Sequence, residues 1–128
     1  MNTQPTQAKR RVLIVDDNSD AAVMLSICLT AYGHETAVAF GGAEGIKLAE
    51  AFQPQVVILD LGMPQMSGFD VAIALRRIPH LRSVYIAALT GWNDLKTRER
   101  VIAAGFNKHL TKPSNVAILL DLVEHADV

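Results

Sequence analysis

Three acids, a threonine and a lysine stand at spacings that suit phosphoryl chemistry. Asp16 and Asp17 close the aliphatic run Val12-Leu13-Ile14-Val15, and Asp60 closes Val56-Val57-Ile58-Leu59. Thr90 closes a third run at 84–89, and Lys112 follows a short fourth one at 108–110. If these runs are strands of one parallel sheet, all five side chains emerge at the same rim. Three carboxylates gathered there repel one another and raise each other's pKa values unless a cation intervenes. The candidate ligands are hard oxygens with no His or Cys beside them, which favours Mg²⁺, with Mn²⁺ as a substitute, over Zn²⁺. A carboxylate beside such an ion can attack phosphorus and form an aspartyl phosphate. A lysine ammonium offsets charge on the transferring oxygens, and the Thr90 hydroxyl is placed to donate to the product.

The elements needed to hold these residues alternate along the chain. Short apolar runs at 12–15, 55–60 and 84–89, with weaker ones at 35–40 and 108–110, read as strands. Between and after them lie stretches with helical signals, from 19 or 20 to 32, then 43–52, 69–78, 94–104 and 116–124. Gly33, Pro54, Pro79 and Gly105 supply the stops. Five strand-then-helix units with short connections predict a parallel sheet with helices on both faces and right-handed crossovers. Ligands of such sheets bind beyond the carboxyl ends of the strands, where the acids lie.

Composition bounds the rest. A chain of 128 residues, half of them hydrophobic and only 5% aromatic, suits one aliphatic α/β domain. Its net charge of -1 gives no general reason to bind nucleic acid. Cys28 is the lone cysteine, so no internal disulfide forms, and a reducing, cytoplasmic setting fits. The opening 1–8 is polar, without the apolar core of a secretory signal, and no run is long enough to span a bilayer. Residues 1–10 read as a flexible lead, with Lys9, Arg10 and Arg11 a solvated basic flank, and 11–126 as the single domain with no output domain after it.

Asp16-Asp17, the segment Leu59-Asp60-Leu61-Gly62-Met63-Pro64-Gln65-Met66-Ser67-Gly68, Thr90 and Lys112-Pro113 together resemble the signature of response-regulator receiver domains. The likeness runs from Arg11 to Glu124, with the motifs in the right order and the right element between each pair. It implies a flavodoxin-like, doubly wound, five-stranded parallel sheet of order 2-1-3-4-5 with five helices. It also implies Asp60 as phosphoacceptor for a histidine kinase or histidine phosphotransfer protein. Asp17, Asp60 and the backbone carbonyl of Gly62 would ligate the metal directly, with Asp16 acting mainly through water. Pro113 would follow Lys112 through a cis peptide bond.

In this family, phosphorylation draws in the hydroxyl at the end of the fourth strand, here Thr90, and an aromatic on the fifth strand turns inward. The matching position carries His109, which departs from the usual Tyr or Phe. The resemblance places the readout to a downstream protein on the fourth helix, fifth strand and fifth helix, without direct DNA or membrane binding. The segment from Gly105 to Pro113 is similar to receivers attached to hybrid histidine kinases, so free-standing and excised forms both stay open.

Two other readings compete. Haloacid-dehalogenase-like phosphatases also use an aspartyl phosphate, but their acceptor follows an earlier strand within an Asp-x-Asp pattern. Here the first strand leads into Asp16-Asp17-Asn18-Ser19. A degenerate, phosphorylation-independent receiver is argued against by Asp16, Asp17, Asp60, Thr90 and Lys112, and favoured only by His109. Trp92 and Gly62 should flank the water that attacks the phosphoryl group and so influence its lifetime, while His34, His80 and His125 read as surface residues. Met24, Met63, Met66 and Cys28 read as packing residues.

Overall fold

The structure is a computed structural model that describes residues 9–92, 94–112 and 115–128; Pro113 lies outside them. Five strands form one parallel sheet in the order β2-β1-β3-β4-β5. They are β1 (Arg11–Val15), β2 (Glu35–Ala39), β3 (Val56–Asp60), β4 (Tyr85–Thr90) and β5 (Lys108–Thr111). They alternate with α1 (Ser19–Ala31), α2 (Gly42–Phe52), α3 (Gly68–Arg76), α4 (Leu95–Ala103) and α5 (Val116–His125). This is the flavodoxin-like architecture that the resemblance implies.

The aliphatic runs work because β1 and β3 are covered on both faces. Leu13, Val15, Val57 and Leu59 pack with Ala49 of α2, Leu75 of α3 and Val101 of α4. Val12, Ile14, Val56 and Ile58 face the other way, onto Ala22, Leu25 and Leu29 of α1 and Leu119 and Val123 of α5. Buried on both sides, such strands read as continuous rather than alternating hydrophobic stretches. Four helices begin with a side-chain cap: Asn18, Ser67, Asp94 and Asn115 each accept a hydrogen bond from the backbone N–H three residues on. Each cap fixes where the chain turns from a strand end into a helix, and so shapes the rim.

Several expectations are corrected. The third helix ends at Arg76 rather than at 78, because Pro79 holds Ile78 in an extended conformation and opens a separate short turn, Pro79–Leu81. His34 is buried, only 3% exposed, instead of lying at the surface. Its Nδ1 accepts the Arg10 backbone N–H at 3.1 Å, and its Nε2 faces Glu124 Oε2 at 3.4 Å. Arg10 also donates through its guanidinium to the Glu124 carbonyl, so the basic flank is partly built into the fold. Met24 is 57% exposed and does not fill the core.

Candidate functional site

The sheet brings Asp16, Asp17 and Asp60 together. Asp16 directly follows β1, whose Val15 lies beside Leu59, so the next step along each chain puts the acids side by side. One carboxylate oxygen from each of the three lies within 4.8 Å of the others. Asp16 and Asp60 are buried and Asp17 is exposed, which leaves the cluster open on one side.

Lys112 closes the arrangement. Its backbone N–H donates to the Thr90 carbonyl at 2.7 Å, continuing the β4–β5 pairing beyond the last strand residue. Its ammonium then reaches Asp60 Oδ1 at 3.0 Å. The Gly62 N–H donates to the same oxygen at 3.1 Å. Among the described residues no donor reaches Asp60 Oδ2, so one acceptor oxygen is held and the other is left for chemistry. Thr90 is buried and its Oγ1 accepts the Trp92 N–H at 3.1 Å. Its hydroxyl proton therefore points to a different partner.

The electrostatics follow from this placement. Burial pushes the Asp16 carboxyl up; the Asn18 N–H bond opposes this, but the neighbouring Asp60 charge adds to it, and the net direction is upward. Burial also acts to raise Asp60, yet the bonds from Lys112 and Gly62 more than offset it and hold that carboxyl below its ordinary range. One lysine against three acids leaves negative charge in excess. An all-oxygen cluster with a buried, charge-strained member fits a small divalent cation such as Mg²⁺.

The loop after β3 carries two features that the sequence signals unequally. A Cβ at Gly68 would lie 2.4 Å from the Asp60 carbonyl oxygen, so only glycine lets α3 start this close to the acceptor. Gln65 has φ +68°, and the Met66 N–H bonds across it to the Pro64 carbonyl at 2.7 Å. Nothing in a glutamine announces a left-handed turn, and such backbone strain is enriched near functional sites. At Gly62 a Cβ would meet nothing closer than Asp60 Oδ1 at 3.9 Å, so the approach to the acceptor is open there.

Trp92 is 66% exposed and borders a cleft with Leu61, Thr90 and Arg100 beside the acceptor. His109 is not drawn into the acid cluster; it sits in β5 opposite Ala88, half-buried, with Nε2 buried and unpaired. Sequence reasoning missed Arg76, whose guanidinium holds the Gly105 carbonyl at 2.7 Å and Asn107 Oδ1 at 2.8 Å and so fixes the entry to β5. An arginine in the last turn of a helix, with Arg77 next to it, reads as an ordinary helix-end cation, which hides this role.

A family model for the response regulator receiver domain matches residues 12–124. The chain belongs to the receiver-domain family. This receiver is 31% identical over 121 residues to the CAI-1 autoinducer sensor kinase/phosphatase CqsS of Vibrio cholerae, covering 94% of the chain but 18% of CqsS. Curated relatives also include transcriptional regulatory proteins, of which it spans about half. Among solved structures, the chemotaxis protein CheY4 of Vibrio cholerae superposes with a TM-score of 0.85 at 32% identity, over 89% of this chain and 95% of CheY4. A Burkholderia pseudomallei response regulator with a phosphorylated aspartic acid, calcium ion and citrate gives 0.82 at 26% identity, over 92% of this chain and 68% of that one. The receiver is thus a two-component signalling domain. No helix among the described residues is long and apolar enough to cross a membrane.

Proposed function

We propose that this receiver accepts a phosphoryl group on Asp60 from the phosphohistidine of a histidine kinase or phosphotransfer protein. The observation that carries this reading is the Lys112 ammonium 3.0 Å from Asp60 inside a three-carboxylate cluster. The free Asp60 oxygen attacks phosphorus, the P–N bond of the donor breaks, and the imidazole leaves with the bond's electrons. The carboxylate becomes an acyl phosphate on the protein. Asp17, Asp60 and the Gly62 carbonyl would hold Mg²⁺ or Mn²⁺, with Asp16 acting through water. When bound, the ion supplies positive charge against the phosphoryl oxygens.

Lys112 neutralises a further oxygen, and the Thr90 hydroxyl proton, which the bond accepted from the Trp92 N–H leaves free, donates to the phosphoryl group once formed and draws Thr90 towards it. That movement links chemistry to conformation through Thr90 and His109, and a downstream protein reads the result on α4, β5 and α5. The phosphorylated aspartate of the Burkholderia regulator and the kinase/phosphatase relative CqsS support this assignment. In this reading residues 11–126 are the working unit. It acts in the cytoplasm on its own aspartate rather than as an enzyme on a separate substrate, and it binds neither DNA nor membrane directly.

The test is intact mass together with Trp92 fluorescence for wild type and Asp60→Asn, with Mg²⁺ and acetyl phosphate. Wild type should gain one phosphoryl mass only with the metal, and its fluorescence should change in step, whereas Asp60→Asn should do neither. Equal mass gain in the variant would remove Asp60 from the role.

A further inference from the structure

β5 lies at the edge of the sheet and is the one strand without a buried residue. Leu110 is its only side chain that packs with the core, and only in part. A strand so weakly patterned does not fix its own register. The register matters at the site, because Lys112 directly follows β5 and its ammonium stands 3.0 Å from Asp60. A slip of one residue carries the backbone about 3.3 Å, more than that contact tolerates.

The groups that seat β5 lie just ahead of it. The Asn107 N–H donates to the Ile86 carbonyl of β4 at 2.8 Å, and Asn107 Oδ1 accepts the Ile86 N–H at 2.8 Å. One residue thus takes both backbone groups of Ile86 and sets Ala87 opposite Lys108. Arg76, at the end of α3, holds that amide in turn. Its Nη2 donates to Asn107 Oδ1 at 2.8 Å and to the Gly105 carbonyl at 2.7 Å, and Nε donates to the same carbonyl at 3.1 Å. Nη1 reaches the carbonyls of Arg82, at 3.0 Å, and Val84, just ahead of β4. Among the described residues no carboxylate pairs with Arg76. Its contribution is therefore geometric: a planar fork that ties the entries of β4 and β5 together, which a lysine cannot reproduce.

We infer that Arg76 and Asn107 are positioning residues for phosphoryl transfer: they lock β5 in the register that brings the Lys112 ammonium to Asp60. The chemistry of this inference rests on the Asp60 reading given above, and its geometry on the hydrogen bonds alone.

The experiment measures initial phosphorylation rates by intact mass, with Mg²⁺ and acetyl phosphate, for Arg76→Lys made alone and together with Lys112→Ala. Amide hydrogen exchange is recorded on the same proteins. Arg76→Lys should slow the reaction about tenfold to a hundredfold, the scale of a displacement of about 1 Å at a reacting group. In the Lys112→Ala background the further slowing should be less than about twofold, since the group being positioned is gone. Mg²⁺ affinity, read by Trp92 fluorescence, should not change. The amides of Ile86 and Lys112 should exchange faster while those of β1 and β3 keep their protection. Asn107→Ala should repeat this pattern, and Asn107→Asp, which keeps the acceptor oxygen, should recover most of the rate. An unchanged rate, equal slowing in both backgrounds, or loss of protection throughout the sheet in both Arg76→Lys and Asn107→Ala would overturn the inference. A wild-type chain that gains no phosphoryl mass fails the Asp60 reading instead, and exchange at Lys112 then still decides whether the clamp seats β5.

Discussion

The two ends of the sheet each bury an acid against a basic side chain, and they balance them differently. Beyond the amino ends of the strands, His34 takes the Arg10 N–H on one ring nitrogen and faces Glu124 with the other, while Arg10 binds the Glu124 carbonyl. Apart from Arg10 Nε, the donors and acceptors there are matched. Beyond the carboxyl ends, Lys112 meets one of three converging acids, and burial, with the Asp60 charge adding to it, pushes Asp16 up. A matched cluster supports the fold, whereas an unmatched one holds back stability that only a ligand releases. The same sheet therefore carries a structural end and a chemical end.

The largest expected effect separates these roles at the rim. Lys112→Ala should slow phosphorylation by acetyl phosphate by about 10²–10³-fold, the scale of removing one charge-stabilising donor from a reacting group. Mg²⁺ affinity should not fall with it, because the change deletes a positive charge and leaves all three acids. Stopped-flow Trp92 fluorescence measures both. A parallel loss of metal binding would mean that Lys112 organises the acids, and the contrast between the ends would fail.

At the other end the expected effect is on stability. His34→Leu leaves the Arg10 N–H and the Glu124 carboxylate without their buried partner and should cost about 2–3 kcal/mol in urea unfolding. The phosphorylation rate under native conditions should stay near that of wild type. A rate loss as large as that of Lys112→Ala would show that the matched cluster also reaches the chemistry.

The difference between the ends also explains what was legible in the sequence. Asp16, Asp17, Asp60, Thr90 and Lys112 could be read because each sits where a recognisable strand run stops, and a parallel sheet gathers such stops at one rim. Order within the sheet came from the family resemblance rather than from periodicity. His34 carried no such signal: it is a single residue between Gly33 and β2, and its partners lie 24 and 90 residues away. Arg76 and the left-handed Gln65 were hidden for the same reason, since each answers to groups that meet only in the folded chain. Pattern shows where backbone elements begin and end, while burial of an isolated polar side chain is a tertiary property.

The smallest expected effect sharpens the contrast within the rim itself. Asp94, just before α4, is an acid at the carboxyl end of the sheet that has its own donors. The Thr97 hydroxyl bonds its carboxylate at 2.7 Å and the Thr97 N–H at 3.3 Å, and the hydroxyl bond leads in holding its carboxyl below the ordinary value. A depressed carboxyl stabilises the fold above its ordinary range and loses that contribution as pH falls through the lowered native value. Asp94 is fully solvated, so the change should be confined to the first turn of α4. Carboxyl carbon NMR should show Asp94 titrating below the ordinary aspartate range and Asp16 above it in metal-free protein, with the Thr97 amide following Asp94. Asp94→Asn keeps a capping oxygen without the charge and should abolish that pH response while leaving α4 in place. If Asp94 instead titrated upward with Asp16, the excess charge would extend past the three converging acids, and the rim would act as one field rather than a local cluster beside an independently capped helix.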